Sequence, residues 1–136
     1  MTVARISGFT VANDGGVGRI TFDFQAIEGV AVPDVEVRPG KPPFTKDPSG
    51  LPLDVAGTAF LVITLRGGTA LDEDMNPTFE GPFDVTPGGS PIVEARRAGD
   101  FEAVSSWVVG VAGPPCVRIL PFDGTGRLFI EVQVKP

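Results

Sequence analysis

Asp72, Asp74 and Asn76, in the stretch LDEDMNP, have the residue types and spacing of a cation loop. They match the first three alternating ligands of a Ca²⁺ loop, hard oxygens that suit a hard cation. The rest of that pattern is missing: Pro77 stands where the sharp-turn glycine belongs, and Phe83 where a bidentate glutamate should be. A solvated acidic loop with no metal is therefore expected. A second group, Arg96, Arg97, Asp100 and Glu102, lies in EARRAGDFE. Charged donors and acceptors of both signs make it either a ligand-contacting surface or a solvated turn. Of the two, it is the candidate ligand-binding set.

Covalent and acid–base catalysis find little to work with. The chain has no histidine and no tyrosine, which removes imidazole-based triads, imidazole zinc sites and the usual neutral-pH proton shuttle. Ser105 and Ser106 would need one of Lys41, Lys46 or Lys135 as a base, and none is near in sequence. No phosphate-binding glycine motif is present. Seventeen acids offer carboxylate pairs somewhere, but no spacing selects one. No enzyme activity and no cofactor are expected. Cys116 stands alone, so it forms no internal disulfide, and it is expected as a buried apolar thiol.

Composition narrows the partners. Net charge is −6, which disfavours a nucleic-acid backbone because no basic patch is evident. No apolar run approaches the roughly 18–20 residues that cross a bilayer; the longest is Trp107 to Ala112. The opening MTVARISGFTV lacks a basic segment followed by an apolar one. That fits a cytoplasmic protein, or an exported domain without its leader.

The elements that must position these residues are strands. In GRITFDFQ, Ile20, Phe22 and Phe24 alternate with Arg19, Thr21, Asp23 and Gln25, so one sheet face is apolar and the other polar. Val35 and Val37 alternate with Glu36 and Arg38, and RLFIEVQV repeats the pattern with Leu128, Ile130, Val132 and Val134. AFLVITLR and WVVGVA are apolar on both faces, as in strands covered on two sides. Weaker strand signals lie at Ile6–Val11, Pro82–Val85, Ile92–Arg96 and Val117–Leu120. NDGG, PGG, AGPP and DGTG read as turns, and the proline-rich stretch from Pro39 to Pro52 as a rigid surface connection. Eighteen glycines and 14 prolines argue for many turns and little helix. The expectation is all-β: one domain, residues 1–136, an antiparallel β-sandwich or distorted barrel of about eight or nine short strands. A helical turn near Asp100–Ala103, capped by Asp100, is the one helix expected. Trp107 is expected in the core rather than as a sugar-stacking platform.

GRITFDFQ, GDFEAVSSWVVGVAG and GRLFIEVQV, joined in order by DPSGLPLDVAGTAFLVITL and FEGPFDVTPGGSPIVEARRAGDFE, resemble the AMIN-like domains of bacterial cell-envelope proteins, many of them lipoproteins. The resemblance runs from about Ala4 to Val134. It implies a non-catalytic β domain acting outside the cytoplasm. AMIN domains proper accompany peptidoglycan amidases, bind the cell wall and localise the enzyme. The implied partner is thus peptidoglycan or another wall polymer. The alternative is a structural or assembly protein that contacts another envelope protein through a sheet edge or face. The chain departs from the pattern in having no amidase module, leader or lipid-attachment cysteine.

Overall fold

Eight strands of five residues or more carry the fold, and the alternating or doubly apolar stretches GRITFDFQ, AFLVITLR, WVVGVA and RLFIEVQV give rise to four of them. The computed structural model describes residues 3–25, 33–120 and 126–136. Strands β1 (Ala4–Asp14) and β2 (Val17–Phe24) form a hairpin. Its turn, Gly15–Gly16, has φ of 58° and 83°, the left-handed pair that lets a two-residue turn match strand twist. Ile20, Phe22 and Phe24 all point into the core, as their alternation requires. β3 (Asp34–Gly40), β6 (Ala59–Arg66), β8 (Ile92–Phe101), β9 (Val104–Val111), β10 (Pro115–Ile119) and β11 (Arg127–Val134) supply the remaining long strands. Three two-residue pieces, β4 (Phe44–Thr45), β5 (Pro52–Leu53) and β7 (Gly68–Thr69), complete the eleven. No helix occurs among the described residues.

The strands form a sandwich. One sheet has the order β10-β11-β2-β1-β7 and the other β3-β6-β9-β8, with β4-β5 as a small separate ribbon. β1 and β11 both pair antiparallel with β2, so they run in the same direction on either side of it. β7 adds in parallel to the start of β1, pairing Gly68 and Thr69 with Ala4 and Arg5. The core between the sheets joins Ile6, Phe9, Ile20, Phe22, Ile130 and Val132 from one to Leu61, Ile63, Leu65, Trp107, Val109 and Val111 from the other. A smaller cluster on the outer side of the four-stranded sheet gathers Leu53, Ala98 and Val108 with Phe44, Val55 and Phe60. That second layer is why β6 and β9 read as apolar on both faces.

Trp107 is fully buried. Its ring stacks on Phe9 at 5.1 Å and meets Phe22 edge-on at 5.0 Å. Its Nε1–H donates to the Phe83 carbonyl at 3.1 Å, giving the buried indole the partner it needs. Trp107 is a core residue.

Three expectations are corrected. Pro82–Val85 is not a strand: only Val85 pairs, as a single bridge to Ala95. Asp100 does not cap a helical turn, because it lies within β8. Glu102 and Ala103, with φ of 52° and 60°, make the tight β8–β9 hairpin turn instead. Cys116 is exposed; β10 is an outermost strand whose Val117 packs on the core, and the alternation turns its neighbour outward. Within DGTG, residues 123–125 lie outside the described residues.

Candidate functional site

The outer edge of β8 is capped twice. Val85 pairs with Ala95 through two hydrogen bonds of 2.8 and 2.9 Å. Asp47 bridges Gly99, its N–H donating to the Ala98 carbonyl at 2.8 Å. Between these contacts the strand carries a register shift from Arg97 to Gly99. The two capping segments stand apart there, and a cleft of about 570 Å³ opens. Lys46, Asp47 and Ser49 line one side, Phe83 and Asp84 another, and Arg97 and Asp100 the strand itself.

Arg97 dominates this cleft. Its guanidinium carbon sits 3.6 Å from the centre of the Phe83 ring, within the range of a cation–π contact. The side chain is half-buried. Burial pulls its pKa down from the ordinary arginine value, and the charges of Asp100 and Asp84 oppose that shift. A guanidinium nonetheless stays charged in a protein. No hydrogen bond or ion pair is made by its guanidinium among the described residues.

The neighbouring acids are engaged. One Asp84 carboxylate oxygen accepts the Arg97 backbone N–H at 2.9 Å, and the other lies 3.6 Å from Arg96 Nε. Asp100 accepts the Thr69 hydroxyl at 2.7 Å and the Ala70 N–H at 2.8 Å. It thereby pins β7 and the residue after it to β8.

The structure therefore divides the four residues picked out in the sequence. Arg97 and Asp100 share the cleft. Arg96 is outside the lining: it donates to the Asp54 carbonyl at 2.7 Å and reaches the cleft only through its ion pair with Asp84. Glu102 sits on the hairpin turn and lines a separate depression with Arg5, Met75 and Phe101.

Residues 4–134 match the family of AMIN-like domains. The chain belongs to the AMIN-like domain family. Domains of this family are generally binding or structural modules associated with the cell envelope. Comparison with curated proteins found no match.

Elsewhere in this AMIN-like domain, the other candidate groups are occupied by the fold. Asp72 accepts the backbone N–H groups of Asp74 and Asn76 at 2.8 and 2.9 Å, so the acidic loop is folded around its own first carboxylate. Ser105 is fully buried and donates to the Gly68 carbonyl at 2.8 Å. Among the described residues, no helix is long and apolar enough to cross a membrane.

Reading the sequence alone missed Lys46, Phe83 and Asp84. Lys46 belongs to the proline-rich stretch expected as a rigid surface connection, which meets β8 through the neighbouring Asp47. Phe83 and Asp84 lay in a segment read as a strand. The one available signal was Phe83 between proline and aspartate, outside any alternating pattern.

Proposed function

We propose that this AMIN-like domain is a non-catalytic module that binds a polymer of the bacterial cell wall, with the cleft beside β8 as its contact surface. The observation that carries the reading is Arg97: a half-buried cation laid on Phe83, facing a cleft, whose guanidinium makes no hydrogen bond or ion pair among the described residues. Partial burial of a charge whose N–H groups lack hydrogen-bond acceptors sustains a cost; Asp100 and Asp84 offset part of it through space, and a ligand's acceptors would offset more. Family membership supports the envelope as the setting.

Co-sedimentation with insoluble peptidoglycan tests this. The folded domain is expected in the pellet at low and moderate salt, and Arg97→Gln is expected to reduce the pelleted fraction. Arg96→Ala, at a side chain outside the cleft lining, should reduce it less. Wild-type protein that stays in the supernatant at both salt concentrations would refute wall binding.

A protein partner met through a sheet edge is the second reading. β10 pairs only with β11 among the described strands, and it carries Ile119, 42 % exposed. An unpaired strand edge is a template for β-strand addition. Binding to an envelope protein that is lost on Val117→Pro, which cannot complete an added ladder, would favour this reading.

A further inference from the structure

We propose that the cleft beside β8 holds the terminal carboxylate of a short peptide, gripped by the in-plane N–H groups of Arg97 and assisted by Lys46. The inference rests on the wall-binding reading of the cleft and selects the peptide part of the wall polymer over its glycan.

Three features lead to it. The first is the orientation of the cation. A guanidinium lying on a ring has one face covered, and its five N–H donors radiate in the plane, away from the ring. Phe83 covers that face of Arg97, which leaves the N–H edge as the group's remaining bonding surface. That edge matches the two oxygens of a carboxylate in bidentate geometry.

The second is the balance of unused groups. Asp84 and Asp100 already accept hydrogen bonds from Arg97 N, Thr69 and Ala70. Asp47 stands exposed at the rim. Lys46, partly buried, makes no side-chain hydrogen bond or ion pair among the described residues. Ser49 Oγ accepts the Leu51 N–H at 3.3 Å, so its own hydroxyl proton is left to donate. The donors left open inside the cleft are those of Arg97, Lys46 and Ser49, and an anion would use them; the open acceptor, Asp47, stands at the exposed rim, so the anion is expected at the Arg97 end.

The third is the absence of a free aromatic platform in the cleft lining. Sugar rings are held largely by stacking on exposed aromatic faces. Phe83 is the aromatic residue of the lining, and Arg97 occupies its face. Trp107 is sealed in the core.

The terminal carboxylate of a wall peptide and the C-terminus of a protein share this chemistry, and chirality separates them. The experiment titrates the ¹⁵N-labelled chain with N-acetyl-D-alanyl-D-alanine, its C-terminal amide, N-acetyl-L-alanyl-L-alanine and a chitin tetramer. The D-acid is expected to shift the Arg97, Gly99 and Ser49 resonances saturably. The amide should bind at least about tenfold more weakly, since it removes a charge-assisted pair. Arg97→Gln should weaken the acid by a similar factor, and Arg97→Lys by less, with an unchanged thermal midpoint. Acid and amide binding equally well would overturn the carboxylate site, and that comparison needs no variant that folds. A chitin tetramer that binds at these resonances while the acid does not would also overturn it, leaving wall binding intact. An L-acid preferred over the D-acid, with no co-sedimentation of peptidoglycan, would instead overturn the wall reading and keep the carboxylate site.

Discussion

At the scale of single residues, Trp107 and Asp100 have opposite relations to what their types suggest. Trp107 is a large aromatic beside a charged stretch, yet every part of it is used inside: stacking on Phe9, an edge on Phe22 and a hydrogen bond to Phe83. As the chain has no tyrosine, intrinsic emission comes from this indole. It is expected to be blue-shifted and poorly quenched by dissolved iodide or acrylamide. Trp107→Ala should cost about 3–5 kcal/mol, the range for large aromatic truncations. A red-shifted, readily quenched indole would contradict the core assignment. Asp100 has the charge of a ligand contact, and each of its oxygens also accepts a hydrogen bond within the fold, from Thr69 and from Ala70. Asp100→Ala should lower stability by about 1–3 kcal/mol, since it leaves a partly buried hydroxyl and an N–H without their acceptor. Chemical denaturation measures it; a change confined to wall binding, with stability untouched, would make Asp100 a ligand contact and not a structural one.

At the scale of elements, the strands were legible and the cleft only in part, with Arg97 and Asp100 visible in the sequence and its other walls not, for one reason. A period of two reports local geometry, so GRITFDFQ, AFLVITLR and RLFIEVQV map onto β2, β6 and β11 with little error. The cleft is made where Asp47 and Val85, far apart in the chain, come to the same edge of β8. No local pattern in either segment records that meeting. The Ile92–Arg96 signal likewise found β8 but not its run to Phe101, because a register shift between Arg97 and Gly99 breaks the alternation. Gly110 is a similar case. In sequence it interrupts an apolar run; in the fold a Cβ there would lie 1.7 Å from the Ala56 carbonyl oxygen. A strand glycine of this kind marks a close approach of another backbone. Gly110→Ala is expected to destabilise by at least about 1–3 kcal/mol, the usual cost of overpacking, seen as a lower thermal midpoint. A neutral substitution would mean that the segment around Ala56 can move off β9 freely.

At the scale of the whole molecule, charge and direction matter more than any one contact. On the outer face of the five-stranded sheet, Glu131 receives Arg19 and Arg118, each at 2.7 Å. The Arg19 hydrogen bond first, and the Arg118 hydrogen bond second, pull its pKa below the ordinary carboxylate value of 4.5. A carboxylate whose folded pKa is depressed adds stability above the unfolded value, and that stability is lost as pH falls through the folded one. Stability should therefore decline on the acid side, starting near the unfolded value, and Glu131→Gln should flatten that decline. Both arginines are more than half exposed, so the effect should be small and weaken with salt. An acid limb unchanged in Glu131→Gln would remove this trio from the pH response. The parallel run of β1 and β11 on either side of β2 has a mechanical consequence. Because the two strands point the same way, the chain enters the sheet at one end and leaves it at the other, and β7 lies beside the entry. Tension between residues 4 and 134 pulls along the strands, loading the rungs of the β1–β2 and β2–β11 ladders together instead of opening them one by one. Such a domain resists force in shear, and stretching it between those ends should demand a much larger load than peeling β10 from its edge.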